Sequence, residues 1–265
     1  MKEDLYFTDH LPKTSTARLK TPAVVVLLHG LFGSSDNLSV IRRHLEQDYR
    51  VINIDLPDHG KSARSDKFSF DNYANKVYTT LQNLDIHVAS IVGHSLGGKV
   101  AMWLAHLQPQ LVHKLIILDI APIAYEPRHQ SVLEGLNAVS LTSIKSRKDA
   151  ELGLSEFISD AGTRAFLLKG LFEESEQWQW RFNLRLLTRD YTLLSDWPDI
   201  NESVYEGETL FIKGEKSNYI LAQHQAVITK QFPQAKAKLV NAGHWLHAEK
   251  PQIVNGLITK HLLSS

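Results

Sequence analysis

The chain has 265 residues, enough for one large α/β domain with a substantial core, or for such a core with a small insertion. Lysine plus arginine balances aspartate plus glutamate at 29 each, which excludes a net electrostatic preference for nucleic acid or for an acidic membrane surface. The absence of cysteine excludes disulfides, thiolate nucleophiles and cysteine-ligated zinc.

The N-terminal ten residues are polar and charged, and they lack the apolar stretch of a signal peptide. The first continuous apolar run, at 23–28, is far too short to span a bilayer. These features predict a cytoplasmic protein that neither enters a membrane nor binds nucleic acid. The run is rich in β-branched residues, as is typical of a strand buried on both faces of a parallel sheet.

The first 119 residues alternate short apolar runs with amphipathic stretches, which is the pattern of strands joined by helices. Strands are predicted at 23–28, 51–55, 90–92 and 114–119, and helices at 38–45, between Ser69 and Leu84, and at 99–107. Ser69 is expected to cap the second of these helices. This alternation predicts right-handed crossovers and a parallel sheet.

The pattern changes between Ile120 and Glu206, where no strand is predicted. Helical segments are predicted there at 131–139, 151–158, 163–172 and 178–187. The core pattern then resumes with a strand at 208–213, a helix at 222–232, a strand at 237–240 and a closing helix at 251–262. We therefore predict an α/β core made of residues 1–119 and 206–265, with a helical cap at 120–205.

The most specific motif is Gly93-His-Ser-Leu-Gly97, which stands between a predicted strand and a predicted helix. Strand, sharp turn and helix in this order form a nucleophile elbow, in which a strained turn lifts the serine Oγ off the sheet. The flanking glycines remove Cβ atoms that would collide there. Ser95 is therefore the candidate nucleophile, and a glycine-rich turn with a bystander serine is the alternative.

A serine nucleophile needs a histidine within hydrogen-bond reach to accept its proton at neutral pH. Among the 13 histidines, His244 is the best candidate because it lies in a glycine-containing loop after the last predicted strand. His247 is expected to begin the next helix and to have a structural role. His29, His59 and His94 are expected to support loops.

The chain resembles the α/β-hydrolase superfamily in the order and spacing of four segments, namely His29-Gly30, the loop at 55–62, Gly93 to Gly98 and Gly243-His244. More narrowly, it resembles the bacterial YbfF esterase group in five blocks, which are His29-Gly-Leu-Phe-Gly33, Gly93-His-Ser-Leu-Gly-Gly-Lys99, Asp119-Ile-Ala-Pro122, Trp180-Arg-Phe-Asn183 and Gly243-His-Trp-Leu-His-Ala-Glu-Lys-Pro251. The resemblance implies the α/β-hydrolase fold, a mostly parallel central sheet flanked by helices, with a helical cap inserted after the sixth strand. It also implies a serine hydrolase of acyl esters, and no cofactor or metal ion is expected.

Acyl transfer needs two hydrogen-bond donors aimed at the oxyanion of the tetrahedral intermediate. The elbow geometry assigns one donor to the backbone N–H of Leu96, and the resemblance places the other in the loop after His29, at Leu31. Because both donors are backbone groups, the side chains nearby are free to line an apolar acyl pocket, formed by Leu31, Phe32, Leu96 and Trp245. Ordinary packing is the alternative for each of these side chains.

The acid that orients the histidine has two candidates. In most of the superfamily it follows the strand after the cap, in a Gly-x-x-Asp pattern, but the matching segment Gly214-Glu-Lys-Ser217 has serine at that place. Asp119 ends the strand before the cap, at the alternative position that the superfamily also uses. We therefore predict a triad of Ser95, His244 and Asp119, with Glu215 as the second candidate for the acid and a loop-tying role as the alternative for Asp119.

The predicted cap contains arginines beside aromatic residues, a combination that can hold a carboxylate or a phosphate in a bidentate fork. Arg128 is the first choice because it lies where the chain enters the cap; a solvated arginine is the alternative. The prediction is a carboxylic ester hydrolase (EC 3.1 type), an esterase or thioesterase that cleaves a small acyl ester or thioester, including acyl-CoA, through an acyl-enzyme. A hydrolase of carbon–carbon bonds in ring-cleavage products and a non-catalytic binding protein are the alternatives.

Overall fold

A seven-stranded sheet forms the centre of the protein, whose computed structural model describes residues 5–14, 22–200 and 204–264. The strands of the sheet are β1 (Phe7–His10), β2 (Val24–Leu28), β3 (Arg50–Ile54), β4 (Ala89–His94), β5 (Val112–Leu118), β8 (Glu208–Gly214) and β9 (Ala235–Val240), while β6 (Leu171–Glu174) and β7 (Gln177–Trp180) form a separate pair. The spatial order is β1-β3-β2-β4-β5-β8-β9. β1 runs antiparallel to β3, and all other neighbours are parallel. The prediction of a mostly parallel sheet is confirmed, although β1 was not predicted.

The central strands are apolar along their whole length because both faces of the sheet are covered. Val26 and Leu28 of β2 pack into one apolar cluster, and Val25 and Leu27 pack into the other. Successive side chains of a strand point to opposite faces, so one apolar run supplies both clusters. All four of these side chains are fully buried.

The helices of the core begin and end close to the predicted positions. They are α1 (Ser39–Leu45), α2 (Phe70–Asn83), α3 (Leu96–Leu107), α9 (Gln225–Gln231), α10 (Leu246–Glu249) and α11 (Pro251–Leu263), with 3-10 turns at Ser35–Leu38 and Ala222–His224. Ser69 caps α2 as predicted, since its Oγ accepts a hydrogen bond of 3.1 Å from the backbone N–H of Asn72. Among the described residues, no helix is long and apolar enough to cross a membrane.

The segment between β5 and β8 contains five helices and one hairpin within the described residues. The helices are α4 (Gln130–Ala138), α5 (Arg147–Ser155), α6 (Ala161–Leu168), α7 (Leu184–Arg189) and α8 (Tyr191–Ser195), and the hairpin pairs β6 with β7. The prediction of an entirely helical cap, with helices at 163–172 and 178–187, is therefore wrong in this part. The hairpin turn consists of Ser175 and Glu176, whose φ angles are 49° and 63°. A two-residue turn with two positive φ angles usually contains asparagine or glycine, and neither residue is present to signal it.

The cap was predicted to follow the sixth strand. Among the described residues it follows the fifth strand, β5, because only one described strand, β1, precedes β2. Residues 1–4, 15–21 and 265 of the predicted core and residues 201–203 of the predicted cap lie outside the described residues. The parallel strands β2, β4, β5 and β9 all direct their carboxyl ends to one edge of the sheet. The loops that follow them meet at this edge, which is where open α/β sheets bind ligands.

Candidate active site

Ser95 occupies a sharp turn between β4 and α3, with φ of 52° and ψ of −119°. The backbone of this turn is packed so closely that only glycine fits at its flanks. A Cβ atom at Gly93 would lie 2.3 Å from the carbonyl oxygen of Gly97, and a Cβ atom at Gly97 would lie 2.3 Å from that of Leu28. The structure therefore has the strained strand-turn-helix arrangement that the Gly-x-Ser-x-Gly spacing predicts.

Asp119 is fully buried at the end of β5, and its carboxylate meets the imidazole of His244. The distance from Asp119 Oδ2 to His244 Nδ1 is 2.8 Å. The other carboxylate oxygen, Oδ1, accepts a hydrogen bond of 3.0 Å from the backbone N–H of Gly214. A carboxylate on Nδ1 keeps the proton on that nitrogen, which leaves Nε2 able to act as a base.

Ser217 is part of this arrangement and was not predicted to be. Its hydroxyl donates a short hydrogen bond to Asp119 Oδ2, the same oxygen that His244 contacts. Glu215, the second candidate for the acid, has an exposed side chain. The sequence did contain a signal for Ser217, since this residue stands where most of the superfamily has its acid.

Two rings contact the imidazole of His244. Tyr219 stacks on it, with ring centroids 4.0 Å apart and an interplanar angle of 23°. The ring of His94 lies 4.8 Å away, and its Nε2–H donates a hydrogen bond of 3.0 Å to the backbone carbonyl of His244. His94 in turn contacts the ring of His247 at 4.5 Å. The loop of His244 is therefore held by stacking and by a buried hydrogen bond.

Burial keeps these supporting histidines neutral. Desolvation lowers the pKa of His94 well below its ordinary value, and the neighbouring His247 and His244 lower it further. Desolvation, together with the neighbouring His244, also lowers the pKa of His247 to about 4. Neutral imidazoles at these places agree with the loop-supporting role predicted for His94 and the structural role predicted for His247.

Leu31 and Leu96, the predicted oxyanion donors, both line the inner cavity beside Ser95. Leu96 is the first residue of α3, and the N–H groups of a first helical turn have no partner within the helix. Leu31 stands in a turn that is closed by a hydrogen bond of 3.1 Å from Gly33 N–H to the Gly30 carbonyl. A Cβ atom at Gly30 would lie 3.2 Å from the Cβ of Ser95, so this turn packs directly against the elbow.

The loop that carries Leu31 is fixed by His29. The ring of His29 accepts a hydrogen bond of 3.0 Å from Leu56 N–H at Nε2 and donates one of 2.8 Å from Nδ1 to the Gly30 carbonyl. Phe32, the next residue of the turn, has a φ angle of 61°, which is strained for an aromatic residue. Its ring is buried and lies 5.1 Å from the ring of Phe182. Phe32 thus forms part of the core as well as part of the site.

Ser95 lies at the junction of two cavities. The larger one, called the cleft here, has a volume of about 690 Å³, and the smaller one, called the inner cavity, has a volume of about 50 Å³. Predicted site residues in the cleft are Leu31, Phe32, Ser95, Arg128, His244 and Trp245, and those in the inner cavity are Leu31, Ser95, Leu96 and Arg128. The structure therefore gathers all of the predicted site residues at one edge of the sheet, with Asp119 buried behind His244. Among the described residues, no group of three or more histidines and carboxylates is placed to hold a metal ion.

Arg128 stands at the rim that the two cavities share. Its Nη1 donates a hydrogen bond of 2.7 Å to Asn218 Oδ1. Its guanidinium carbon lies 5.2 Å from the ring centre of Tyr125 and 5.0 Å from that of Tyr219. Arg128 is thus held over the same tyrosine that stacks on His244. Trp245 lies on the other side of the cleft, where its ring is 5.5 Å from that of Phe166.

Comparisons with known proteins identify relatives that match nearly the whole chain. A sequence profile of the alpha/beta hydrolase fold family matches residues 23–139. Esterase YbfF of Escherichia coli strain K12 is 37% identical over 240 residues, which are 90% of this chain and 92% of that protein. The sn-1-specific diacylglycerol lipase of Mus musculus is 35% identical over 251 residues, 91% of this chain and 81% of the lipase. Among solved structures, a marine microorganism esterase superposes with a TM-score of 0.92 at 29% identity, covering 98% of this chain and 100% of the esterase.

Proposed function

The chain belongs to the α/β-hydrolase family, and we propose that it is a serine esterase in which Ser95, His244 and Asp119 form the catalytic triad. The observation that carries the proposal is the hydrogen bond of 2.8 Å between a fully buried carboxylate and His244, in a cleft that His244 shares with Ser95. The relatives named as an esterase and as a lipase support hydrolysis of ester bonds. The triad and the acyl-enzyme are proposed from the geometry of this chain.

In the first half of the reaction, His244 Nε2 accepts the proton of Ser95 as its Oγ attacks the acyl carbonyl. The carbonyl oxygen becomes negatively charged and is stabilised by the N–H groups of Leu31 and Leu96. The tetrahedral intermediate then collapses, and His244 gives its proton to the departing alcohol or thiol. An acyl group remains on Ser95 as an ester.

In the second half, water takes the place of the alcohol. His244 accepts a proton from the water as it attacks the acyl-enzyme, and the same two N–H groups hold the second oxyanion. Collapse returns the proton to Ser95 Oγ and releases the acid. Throughout, the carboxylate of Asp119 stabilises the transient imidazolium, while Ser217 and Gly214 hold that carboxylate in orientation.

The remaining groups of the site are assigned to substrate binding. Phe32 and Trp245 supply apolar surface in the cleft, and Arg128 at the shared rim is placed to contact an anionic part of a substrate such as an acyl-CoA. The core that holds the triad is proposed to comprise residues 1–119 and 206–265, and residues 120–205 form the cap over the cleft.

Covalent labelling tests the proposal most directly. A fluorophosphonate probe should modify Ser95, because only an activated serine reacts, and peptide mass spectrometry should locate the adduct. Ser95→Ala should lose labelling and lose turnover by on the order of 10⁶-fold, as for loss of the nucleophile in a serine protease. Ser140→Ala, which changes an exposed serine of the cap, is the matched control and should behave like the parent.

Three outcomes would contradict parts of the proposal. An adduct on another residue, or substantial activity in Ser95→Ala, would remove Ser95 from the role of nucleophile. Absence of any labelling would favour a binding protein on the same fold. Faster cleavage of a dienone ring-cleavage product than of p-nitrophenyl esters would favour a carbon–carbon bond hydrolase that uses the same serine.

A further inference from the structure

The inner cavity is a small space that begins at Ser95 and extends beyond the lining of the cleft. Leu31, Ser95, Arg128, His129 and Tyr219 line both cavities, so they mark the junction. The residues that line only the inner cavity mark its far end, and they include Leu96, Lys99, Ile120, Tyr191, Leu194 and Ser195. An ester carbonyl at Ser95 would therefore have one substituent in a small space and the other in a wide cleft.

We propose that the inner cavity is the acyl subsite of the esterase and that Lys99 sets the longest acyl chain it accepts, by holding Ser195 in the cavity wall. This inference rests on the proposed function, since it assigns binding sites to the acyl chain and to the leaving group of an ester cleaved at Ser95. The leaving alcohol or thiol then occupies the cleft. Lys99 acts here as a specificity-determining residue and takes no part in the bond-breaking steps.

Lys99 connects α3, the helix that follows Ser95, to the cap. Its backbone N–H donates a hydrogen bond of 3.0 Å to the carbonyl of Ser95, so it lies on the first turn of α3. Its side chain is buried, and Nζ donates hydrogen bonds of 2.8 Å to the carbonyls of both Ser195 and Asp196. These carbonyls stand at the carboxyl end of α8, where helical carbonyls lack partners within the helix. The ammonium of Lys99 thus fixes the distance between the nucleophile elbow and the carboxyl end of α8.

The ammonium of Lys99 lies in an aromatic and largely desolvated environment. Its Nζ lies 5.0 Å from the ring centre of Tyr125 and 5.7 Å from that of Phe70. Desolvation lowers the pKa of Lys99 to about 7, against the opposing effect of the charge of Asp196. A buried ammonium is costly unless its hydrogen-bond acceptors are in place, so displacing the α8 carbonyls is unfavourable.

The walls of the inner cavity favour an alkyl chain, because its tyrosine hydroxyls are already hydrogen-bonded. The exposed Glu126 also lines the cavity. The hydroxyl of Tyr125 donates to the Tyr219 carbonyl at 2.5 Å. The hydroxyl of Tyr191 accepts hydrogen bonds from the N–H groups of Arg128 and His129 at 3.2 and 3.1 Å. The cavity of about 50 Å³ has room for about three to five groups of the size of water or methylene. This volume matches a short acyl chain, about acetyl to hexanoyl.

The test measures kcat/KM for p-nitrophenyl esters of acetate, butyrate, hexanoate, octanoate and decanoate, with the leaving group held constant. The parent should prefer chains up to hexanoate and lose activity steeply beyond it. Lys99→Met keeps the length of the side chain but removes the ammonium. We expect the ratio of kcat/KM for octanoate to that for butyrate to rise by about tenfold or more, the effect of a few methylene groups in an apolar pocket.

Lys114→Met is the matched control because the structure contains a second buried lysine with the same kind of partners. The side chain of Lys114 is as buried as that of Lys99, and its Nζ donates to the carbonyls of His261 and Ser264 near the end of α11. Lys114 lies in β5 near its amino end, away from the site. Its replacement should lower stability to a similar degree and leave the chain-length profile unchanged.

A second pair of variants keeps the inference testable if Lys99→Met does not fold. Leu194 lines the inner cavity, whereas the neighbouring Leu193 is exposed. Leu194→Ala should shift the preference toward longer chains, and Leu193→Ala should not. A parent that cleaves decanoate as well as butyrate, or a profile unchanged in both Lys99→Met and Leu194→Ala, would overturn the inference. Labelling of Ser95 in the same samples would show that the proposed function itself still held.

Discussion

The two sides of the site are built differently. On the sheet side, Phe32, Ser95 and Asp119 all have positive φ angles, of 61°, 52° and 53°. On the cap side, many of the residues that line the cavities belong to helices, among them Phe166 and Leu167 of α6 and Tyr191 and Leu194 of α8, while Tyr125 and Glu126 lie in the segment between β5 and α4. Around the site, the residues at positive φ therefore lie on the sheet side, while the cap supplies shape. The strained hairpin turn of the cap, Ser175 and Glu176, lines neither cavity.

Hydrogen bonds attach both halves of the cap to the core. Its second half is bonded to the core through buried polar groups, since Asn183 Nδ2 donates to Asp58 Oδ1 at 2.8 Å and Asp190 Oδ2 accepts from Phe68 N–H at 2.9 Å. Its first half is bonded to the core beside the site, where Arg128 Nη1 donates to Asn218 Oδ1 at 2.7 Å. We expect substitutions on the sheet side to change turnover, and substitutions in the cap to change which substrate is accepted.

The largest effect is expected on the sheet side, from Asp119→Asn. The amide keeps the shape of the carboxylate but lets His244 adopt the wrong tautomer and removes the charge that stabilises the imidazolium. In serine proteases the same change lowers kcat by about 10⁴-fold, and we expect a loss of this order with little change in KM. Steady-state kinetics on p-nitrophenyl butyrate would measure it. Glu215→Gln, a change to an exposed side chain, is the control and should cost little.

The reverse pattern, with Glu215→Gln inactive and Asp119→Asn active, would assign the acid to Glu215 instead. A loss that appeared in KM rather than in kcat would also break the comparison, because it would make Asp119 a binding group. Either result would remove the distinction between a reactive sheet side and a shaping cap.

Acid should destabilise the sheet side through its buried histidines. Desolvation lowers the pKa of His59 to about 3 and, together with the neighbouring His244, that of His247 to about 4, whereas an unfolded histidine titrates near 6.5. Between these values the unfolded chain binds protons that the folded chain does not, so stability falls as pH drops from about 6.5 toward 4. Urea unfolding at several pH values would measure the slope.

His247→Asn should reduce the dependence of the unfolding free energy on pH by up to about one proton between pH 4 and 6.5. His87→Asn is the control, because His87 is exposed and pairs only with the exposed Asp85 in the described structure. Equal slopes in the parent and in His247→Asn would show that His247 is not held neutral by burial.

Much of the sheet side was predictable because its signals are local. The glycines on either side of Ser95 indicate a close approach of two backbone segments. The β-branched run at 23–28 indicates a strand that is covered on both faces. The bond between Ser217 and Asp119 was missed because it joins segments far apart in the chain. A serine at the usual place of the acid indicates a departure from the superfamily pattern but does not identify its partner.

The cap was less predictable for a physical reason. Its hairpin turn places Ser175 and Glu176 at positive φ, where propensity favours glycine and asparagine, so tertiary packing decides the conformation. Leu171 and Trp180, which pair across the hairpin, are both buried. β1 was missed for a related reason, since this four-residue edge strand is defined by its pairing with β3 rather than by an apolar pattern.

The smallest effect is expected in the cap, from Phe166→Ala. The ring of Phe166 lines the cleft and lies 5.5 Å from that of Trp245, at an interplanar angle of 34°. If the leaving group binds in the cleft, the loss of this ring should weaken binding of large aromatic leaving groups. An aromatic pair contributes about 0.5–1.5 kcal/mol, which corresponds to a rise in KM of about 2- to 12-fold for naphthyl butyrate, with kcat little changed.

Methyl butyrate separates this binding effect from a general disturbance of the site. Its leaving group is too small to reach the ring, so its KM should not change in Phe166→Ala. Phe157→Ala removes a partly exposed phenylalanine of the cap that does not line either cavity, and it should leave both esters unaffected. An equal fall of kcat on both esters in Phe166→Ala would mean that α6 supports the reactive groups. The cap would then affect turnover, and the distinction between a reactive sheet side and a shaping cap would be wrong.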